Sequence, residues 1–193
     1  MADYETYEVK VFNNGNKWWY QNGKLHRTDG PAIEWADGDK FWYQNDELHR
    51  TDGPAIDCAN GYKEWRQNDK FHRTDGPAAE RANGDKSWYL HGIRHRTDGP
   101  AVEHSNGTKH WYVNGKRHRT DGPAIEWADG DKSWWQNDEL HRTDGPAVEY
   151  ASGYKEWYLD GIYYTEKEFK EKMNSCEGKT VTVDGKEYRL TAI

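Results

Sequence analysis

The heptapeptide His-Arg-Thr-Asp-Gly-Pro-Ala occurs six times in this chain, always at an interval of 23 residues. Its copies begin at His26, His49, His72, His95, His118 and His141. A period this regular, with no insertions, indicates one short supersecondary unit stacked end to end. Such an array presents ladders and long surfaces, whereas an enzyme needs one asymmetric group of reacting side chains.

The composition agrees with a folded array of one domain. Only 34% of the 193 residues are apolar, which alone would favour disorder. The 11 Trp, 13 Tyr and 4 Phe argue against disorder, because aromatic rings supply a large buried area per residue. The net charge of −7 disfavours non-specific binding to nucleic acid or to anionic lipid.

Several features predict a cytoplasmic protein. The start, Met1-Ala-Asp-Tyr-Glu, is polar and acidic, so no signal peptide is expected. No apolar run approaches the length of a membrane span. Cys58 and Cys176 are far apart and belong to no motif, so neither a disulfide framework nor a zinc site is expected.

Alignment at the period shows fixed columns that predict a hairpin in each unit. The Trp column contains Trp19, Trp42, Trp65, Trp88, Trp111, Trp134 and Trp157. The aliphatic column contains Ile33, Ile56, Ala79, Val102, Ile125 and Val148. Between them stands a pair such as Asp37-Gly38, which is typical of a two-residue type I′ turn. That turn would pair Ile33 with Trp42 across the strands and place both columns on one face.

The rest of each unit predicts a longer loop. Residues 21–32 contain the heptapeptide and one proline, which belongs in a loop or at the start of a strand because it cannot donate to a ladder. Each unit therefore reads as strand, tight turn, strand and longer loop. We expect an all-β fold, an elongated single-layer antiparallel meander of about thirteen strands with a small α+β cap at the C-terminus.

The two ends differ from the array. Tyr4 to Phe12 predicts a first strand that pairs with the strand after it. The heptapeptide disappears after Gly161, and Thr165-Glu-Lys-Glu168 is a capping box that predicts a short helix. Lys179 to Leu190 predicts a hairpin around Asp184-Gly185. We therefore divide the chain into the array, residues 1–161, and the cap, residues 162–193.

The unit resembles the MORN repeat (membrane occupation and recognition nexus). Gly23-Lys24-Leu25-His26 matches the first half of that repeat, and Asp37-Gly38 followed by Trp42 matches the second. The resemblance covers residues of about 7 to 161, but His-Arg-Thr-Asp-Gly-Pro replaces the usual His-Gly-x-Gly, and Trp replaces the family's Tyr. The chain is similar to a divergent MORN-like subclass of repeats that is seen in phages, large viruses and bacteria. The resemblance implies a sheet of hairpins that binds or scaffolds and does not imply catalysis.

The heptapeptides offer one set of candidate binding residues. Their arginines would anchor phosphate or carboxylate groups, with the histidines beside them. In the structural alternative, Asp and Thr close the loop, Arg pairs with Asp, and His packs under the next repeat. Neighbouring copies would lie about 10 Å apart, too far to share an ion, so no metal and no cofactor are expected. This ladder contains Arg27, Arg50, Arg73, Arg96, Arg119, Arg142 and His26, His49, His72, His95, His118, His141.

The columns that change between repeats offer the second set, because fixed columns serve the fold and variable ones distinguish partners. The chosen residues are Trp35, Phe41, Arg81, His104, His110 and Trp127. We expect a non-enzymatic protein that binds another macromolecule, with a viral inhibitor of a host defence or toxin component as one hypothesis. The alternatives are sequestration of a small phosphorylated or nucleotide ligand and a lipid-associated scaffold. Homo-oligomers are also expected, because a single-layer sheet leaves aromatic surface and strand edges uncovered.

Overall fold

A computed structural model describes residues 6–174 and 180–189 of the protein. Within these residues the protein is mostly β, with a single short helix near the C-terminus, and its long antiparallel sheet of hairpins confirms the predicted all-β meander. Of the residues discussed above, Met1, Tyr4, Cys176, Lys179 and Leu190 lie outside the described ranges.

The main sheet contains sixteen strands, which pair in the order of the chain. The strands are Glu8–Val11, Lys17–Gln21, Lys24–Leu25, Ile33–Glu34, Lys40–Phe41, Ile56–Asp57, Lys63–Glu64, Ala79–Glu80, Lys86–Ser87, Val102–Glu103, Lys109–His110, Ile125–Glu126, Lys132–Ser133, Val148–Glu149, Lys155–Leu159 and Ile162–Tyr164. Most of them have only two residues in ladder pairing, and past its Trp each repeat continues into a second hairpin.

The first turn of each repeat has three loop residues, so the predicted two-residue turn is wrong. Ile33 pairs with Phe41 and not with Trp42. The Trp35 N–H donates to the Asp39 carbonyl, and Gly38 has a φ of +102° while Asp37 does not enter the left-handed region. This geometry is a type I turn followed by a glycine bulge, whereas type I′ needs positive φ at both central residues. The register therefore shifts by one residue.

A second hairpin stands where the sequence predicted only a loop. Its two-residue turns do have positive φ at both positions, as at Asn45 and Asp46, with φ of 53° and 71°. The usual sequence signal for such a turn is weakened at Asp46, Asp69 and Asp138, where Asp replaces the expected Gly. The paired strands are Tyr43–Gln44 with Glu47–Leu48, Arg66–Gln67 with Lys70–Phe71, Tyr89–Leu90 with Ile93–Arg94, Tyr112–Val113 with Lys116–Arg117, and Trp135–Gln136 with Glu139–Leu140.

The shifted register separates the two predicted core columns onto opposite faces. The aliphatic column shares one face with the variable columns, because directly paired residues such as Ile33 and Phe41 project to the same side. The Trp column shares the other face with an alanine column, and the Trp42 N–H donates to the Ala55 carbonyl at 2.8 Å. The alanine column is fully buried and contains Ala32, Ala55, Ala78, Ala101, Ala124 and Ala147. We call these the variable face and the constant face.

Both ends carry the predicted elements. Glu8–Val11 pairs with Lys17–Gln21, as expected for the first strand. The helix Glu166–Asn174 begins after the capping box, in which the Thr165 N–H donates to the Glu168 carboxylate at 2.8 Å. Phe169 is 5% exposed, and the helix packs against Lys155–Leu159, at the end of the main sheet. A final hairpin joins Thr180–Val183 to Lys186–Arg189.

Candidate functional site

A cavity of about 240 Å³ opens on the variable face near the middle of the array. It brings together three of the six predicted binding residues, Arg81, His104 and His110. The full lining is Tyr62, Phe71, Ala79, Arg81, Ser87, Tyr89, Arg94, Val102, His104, His110 and Tyr112. The side chains come from successive repeats. Because the variable columns differ between these repeats, the cavity is an asymmetric site in a periodic sheet.

The other three predicted residues do not line this cavity. Trp35 lies edge-on to Trp18, with ring centroids 6.1 Å apart, and Trp35 is 38% exposed. Trp127 is 37% exposed. Phe41 is half-buried beside its pairing partner Ile33. These rings lie on the variable face away from the cavity and form separate aromatic patches there.

The cavity exists because two small residues meet across the strands. Ala79 pairs with Ser87, whereas the corresponding pairs in other repeats contain an isoleucine or valine. Ile56 pairs with Glu64, for example, and Glu64 is buried beneath Tyr62 and Arg66, to which it is hydrogen-bonded. The remaining pairs are Ile33 with Phe41, Val102 with His110, Ile125 with Ser133, and Val148 with Glu156.

Stacked planar groups form one wall of the cavity. The rings of Phe71 and Tyr89 stack with centroids 4.9 Å apart. The Arg94 guanidinium lies between Tyr89 and Tyr112, 5.6 and 5.5 Å from their ring centroids, and its Nε donates to the Tyr89 hydroxyl at 2.9 Å. Phe71 and Arg94 were not among the predicted binding residues, since they stand in the second hairpin. The sequence signal that could have identified them is the variation of their column among Leu, Phe and Arg.

The opposite wall carries Arg81 and His104 and is held in place by one aspartate. Asp85 accepts the Ser105 N–H at 2.8 Å, and its other oxygen lies 3.3 Å from His104 Nδ1 and 3.6 Å from Arg81 Nη1. The Ser105 backbone hydrogen bond, followed by the bond to His104, holds the pKa of Asp85 far below its usual range. Asp85 is therefore ionised and positions both side chains at the rim.

His110 stands between these walls. Its ring lies 5.5 Å from His104 and 6.4 Å from Tyr112, measured between centroids. Burial lowers the pKa of His110, and the charges of His104, Arg94 and Arg117 lower it further. An excess of positive charge thus surrounds this imidazole.

The heptapeptide arginines are engaged within their own loops. Each guanidinium bonds through Nε to the Asp two residues later, at 2.7–2.9 Å, and through Nη1 to the proline carbonyl, at 3.1–3.2 Å. Each also lies 3.9–4.3 Å over a ring of the Trp column. The hydrogen bond from Arg lowers the pKa of the partner Asp, as at Asp29. The side chains are only 19–23% exposed.

The heptapeptide glycine has a packing role in the same loop. A Cβ added at Gly30 would lie 2.8 Å from Arg27 Cζ. The guanidinium is thus enclosed between the glycine and the indole. Grooves of about 450–590 Å³ remain between successive loops and present hydroxyl and carboxylate groups beside an indole.

The heptapeptide histidines mostly bind the next repeat. His26 Nδ1 accepts the Asn45 N–H at 3.2 Å, and His95 Nδ1 accepts the Asn114 N–H at 3.1 Å. This bond caps the left-handed first residue of the second turn. His72 differs, since its partner is His91, with ring centroids 4.3 Å apart, and burial followed by the charge of His91 lowers the pKa of His72.

Within residues 6–174 and 180–189 there is no group of three or more His, Cys, Asp or Glu side chains that could hold a metal ion. No helix in the same part of the chain is long and apolar enough to cross a membrane. No protein-family model matches the chain, and a search of curated proteins gives no significant match.

Proposed function

We propose that the protein is a non-enzymatic binding protein that engages another macromolecule through its variable face. One observation carries this proposal: the two variable columns that contain Trp35 and Phe41 project from the same side of the sheet, while the other side repeats the stacking of a heptapeptide arginine on a Trp ring in every unit. Selection for a partner acts on the side that varies, because the constant side is occupied by the protein's own loops.

The chemistry of the variable face supports a protein partner. Trp35, Trp127, Tyr150 and Tyr154 are between 37% and 60% exposed, which is unusual for rings of this size. Trp, Tyr and Arg dominate the energetic centres of protein interfaces, because they combine large apolar area with polar groups. Arg81, 62% exposed in its side chain, adds a cation to the same surface. A host defence or toxin component is a hypothesis that rests on the family resemblance alone.

The alternative of a phosphorylated or nucleotide ligand on the heptapeptide ladder has less support. The ladder arginines already have carboxylate, carbonyl and indole partners, so binding phosphate there would replace existing bonds. A lipid-associated scaffold has less support still, because the net charge of −7 opposes anionic lipid.

Affinity capture from host cells, followed by titration of the purified partner, tests the proposal. The double variant Trp35→Ala with Trp127→Ala should weaken partner binding at least tenfold. Lys40→Ala with Lys132→Ala is the matched control, because these lysines stand in the same two hairpins on the constant face. Equal loss in both doubles, with unchanged unfolding curves, would show that binding does not depend on the variable face.

The expected self-association is tested in the same samples. A second copy of the chain would cover the exposed rings with one symmetric contact. Sedimentation equilibrium should then give a mass above that of the 22.6 kDa chain, and the Trp double variant should lower it. A wild-type protein that sediments as a monomer at micromolar concentration contradicts the oligomer.

A further inference from the structure

We propose that the cavity above the Ala79–Ser87 pair is a binding site for a single planar ring bearing an anionic group, such as an aryl phosphate. The site is independent of the proposed macromolecular partner, since it needs only the lining residues of this chain. The ligand class follows from the size of the cavity, its charge and the shape of its walls.

The size of the cavity limits the ligand to about one ring. A cavity of about 150 Å³ holds benzene in an engineered protein, so about 240 Å³ leaves room for a ring and one small acidic substituent. The floor is made by Ala79, Ser87 and Val102, so two of its three residues are apolar. A fused ring system with a sugar would extend beyond these walls.

The charge of the lining favours an anion. The lining contains two arginines, two histidines and no carboxylate. Arg94 forms no ion pair with any residue in the described ranges, whereas Arg117, its equivalent in the next repeat, bonds to Asp138 at 2.8 Å. Asp138 lies 21 residues after Arg117 in the chain. The residue 21 positions after Arg94 is Gly115, so Arg94 has no corresponding aspartate. The Arg94 guanidinium therefore has donors available for a phosphate or carboxylate.

The walls favour a planar group. Tyr89, already stacked on Phe71, and Tyr112 flank the opening on one side, His104 flanks it on the other, and His110 stands between them. Aromatic rings gain from stacked or edge-on contacts with such neighbours. The low pKa of His110 is consistent with this assignment, because a bound anion would offset the positive charges around that imidazole.

Calorimetric titration with phenyl phosphate tests the site. We expect saturable binding of one molecule per chain, and at least tenfold weaker binding of phenol and of inorganic phosphate, since each has only half of the recognised chemistry. Arg94→Gln should weaken phenyl phosphate binding at least tenfold, while Lys132→Gln, which removes a cation on the constant face outside the cavity, should leave its affinity within twofold. No saturable binding, or equal loss in both variants, overturns the proposal.

Filling the cavity gives a second, independent readout. Ala79→Ile recreates the pair of Ile125 with Ser133, and Ala79→Ile combined with Ser87→Phe recreates the pair of Ile33 with Phe41, so both variants should fold. Each should abolish phenyl phosphate binding, and Ser133→Ala, a change outside the cavity, should not. If the filled variants retain wild-type affinity with an unchanged unfolding midpoint, the ligand binds elsewhere and the assignment is wrong.

A third experiment distinguishes whether the anionic ring belongs to a polypeptide or to a small molecule. A short phosphotyrosine peptide and free phenyl phosphate are titrated side by side. Tighter binding of the peptide would assign the site to a side chain of a polypeptide partner, and tighter binding of the free compound would assign it to a small molecule. Both results require that the unphosphorylated peptide binds at least tenfold more weakly, and equal binding of that peptide contradicts recognition of the anion.

Discussion

Ser87 and Ser133 occupy the same position of the repeat, yet their surroundings differ completely. The Trp135 indole covers Ser133, its Nε1 donates to Ser133 Oγ at 2.6 Å, and Ser133 is only 1% exposed. At the equivalent place above Ser87, Tyr89 turns to stack on Phe71, and a cavity remains. A periodic backbone thus offers equal positions, and the neighbours of each position decide whether it is filled or open.

The neighbour from the preceding repeat controls this choice. Arg117 lies over the Trp135 ring, with its Cζ 3.6 Å from the centroid, and covers the outer face of the indole. Phe71 occupies the corresponding place beside Tyr89 and attracts that ring into a stack. The pairing partner adds to the effect, because Ile125 fills the floor beside Ser133 while Ala79 does not.

The largest expected effect tests whether the constant face is equivalent beneath the region of Ser87 and the region of Ser133. Trp88→Ala and Trp134→Ala should each lower the free energy of unfolding by about 3 kcal/mol, because both indoles are half-buried on the constant face. Arg96 lies 4.1 Å over Trp88, and Arg142 lies 3.9 Å over Trp134, so each substitution removes an equivalent indole–guanidinium stack. Urea unfolding measures both values. A difference above about 1 kcal/mol would mean that the constant face is not equivalent in the two regions.

An exchange of floor residues should have the next largest effect. Ile125→Ala should lower the free energy of unfolding by about 2 kcal/mol, since Ile125 is 5% exposed and its removal opens a void beside Ser133. Ala79→Ile should instead raise it by about 0.5–1 kcal/mol, because the new side chain enters existing space. The same urea titration checks both signs. Destabilisation by Ala79→Ile would indicate that the cavity cannot accept an aliphatic side chain.

The two serines themselves provide a sharper comparison with a smaller effect. Ser133→Ala should cost about 1–2 kcal/mol, because it leaves the Trp135 indole N–H without its acceptor in a covered position. Ser87→Ala should change the free energy of unfolding by less than about 0.5 kcal/mol, because Ser87 lies at the edge of open space. Equal losses at the two positions would contradict the described difference in surroundings.

The sequence predicts those features of the structure that depend on interactions between residues close together in the chain. The capping box at Thr165 is predictable because its partners are three residues apart. The register of the first turn differs by one residue from the prediction, since Asp37-Gly38 suits both a type I′ turn and a type I turn with a bulge. The predicted register pairs Ala79 with Trp88, so the small pair that forms the cavity could not be seen from the sequence. Repeat alignment nevertheless singles out Arg81 and His104, because a cavity in an array must be lined by residues that vary.

The smallest expected effect is the pH dependence that His110 adds in the cavity region. Position 110 is a histidine in the cavity region, and the corresponding residues elsewhere in that column are not. The pKa of His110 is lowered by burial and by His104, Arg94 and Arg117, so the unfolded chain takes up the proton more readily. Stability should therefore fall as the pH drops from above the unfolded value of 6.5 toward the lower folded value, and change little from this group outside that window.

His110→Ser isolates the contribution of this imidazole, because serine already stands at the equivalent positions Ser87 and Ser133. The free energy of unfolding, measured between about pH 7.5 and about pH 5, should decline less steeply for this variant than for the wild type. His72, whose pKa is also lowered by burial and by His91, remains in both proteins, so part of the decline should persist. A slope that is unchanged or steeper in His110→Ser would mean that neither burial nor the surrounding positive charge lowers the pKa of His110 in the folded protein.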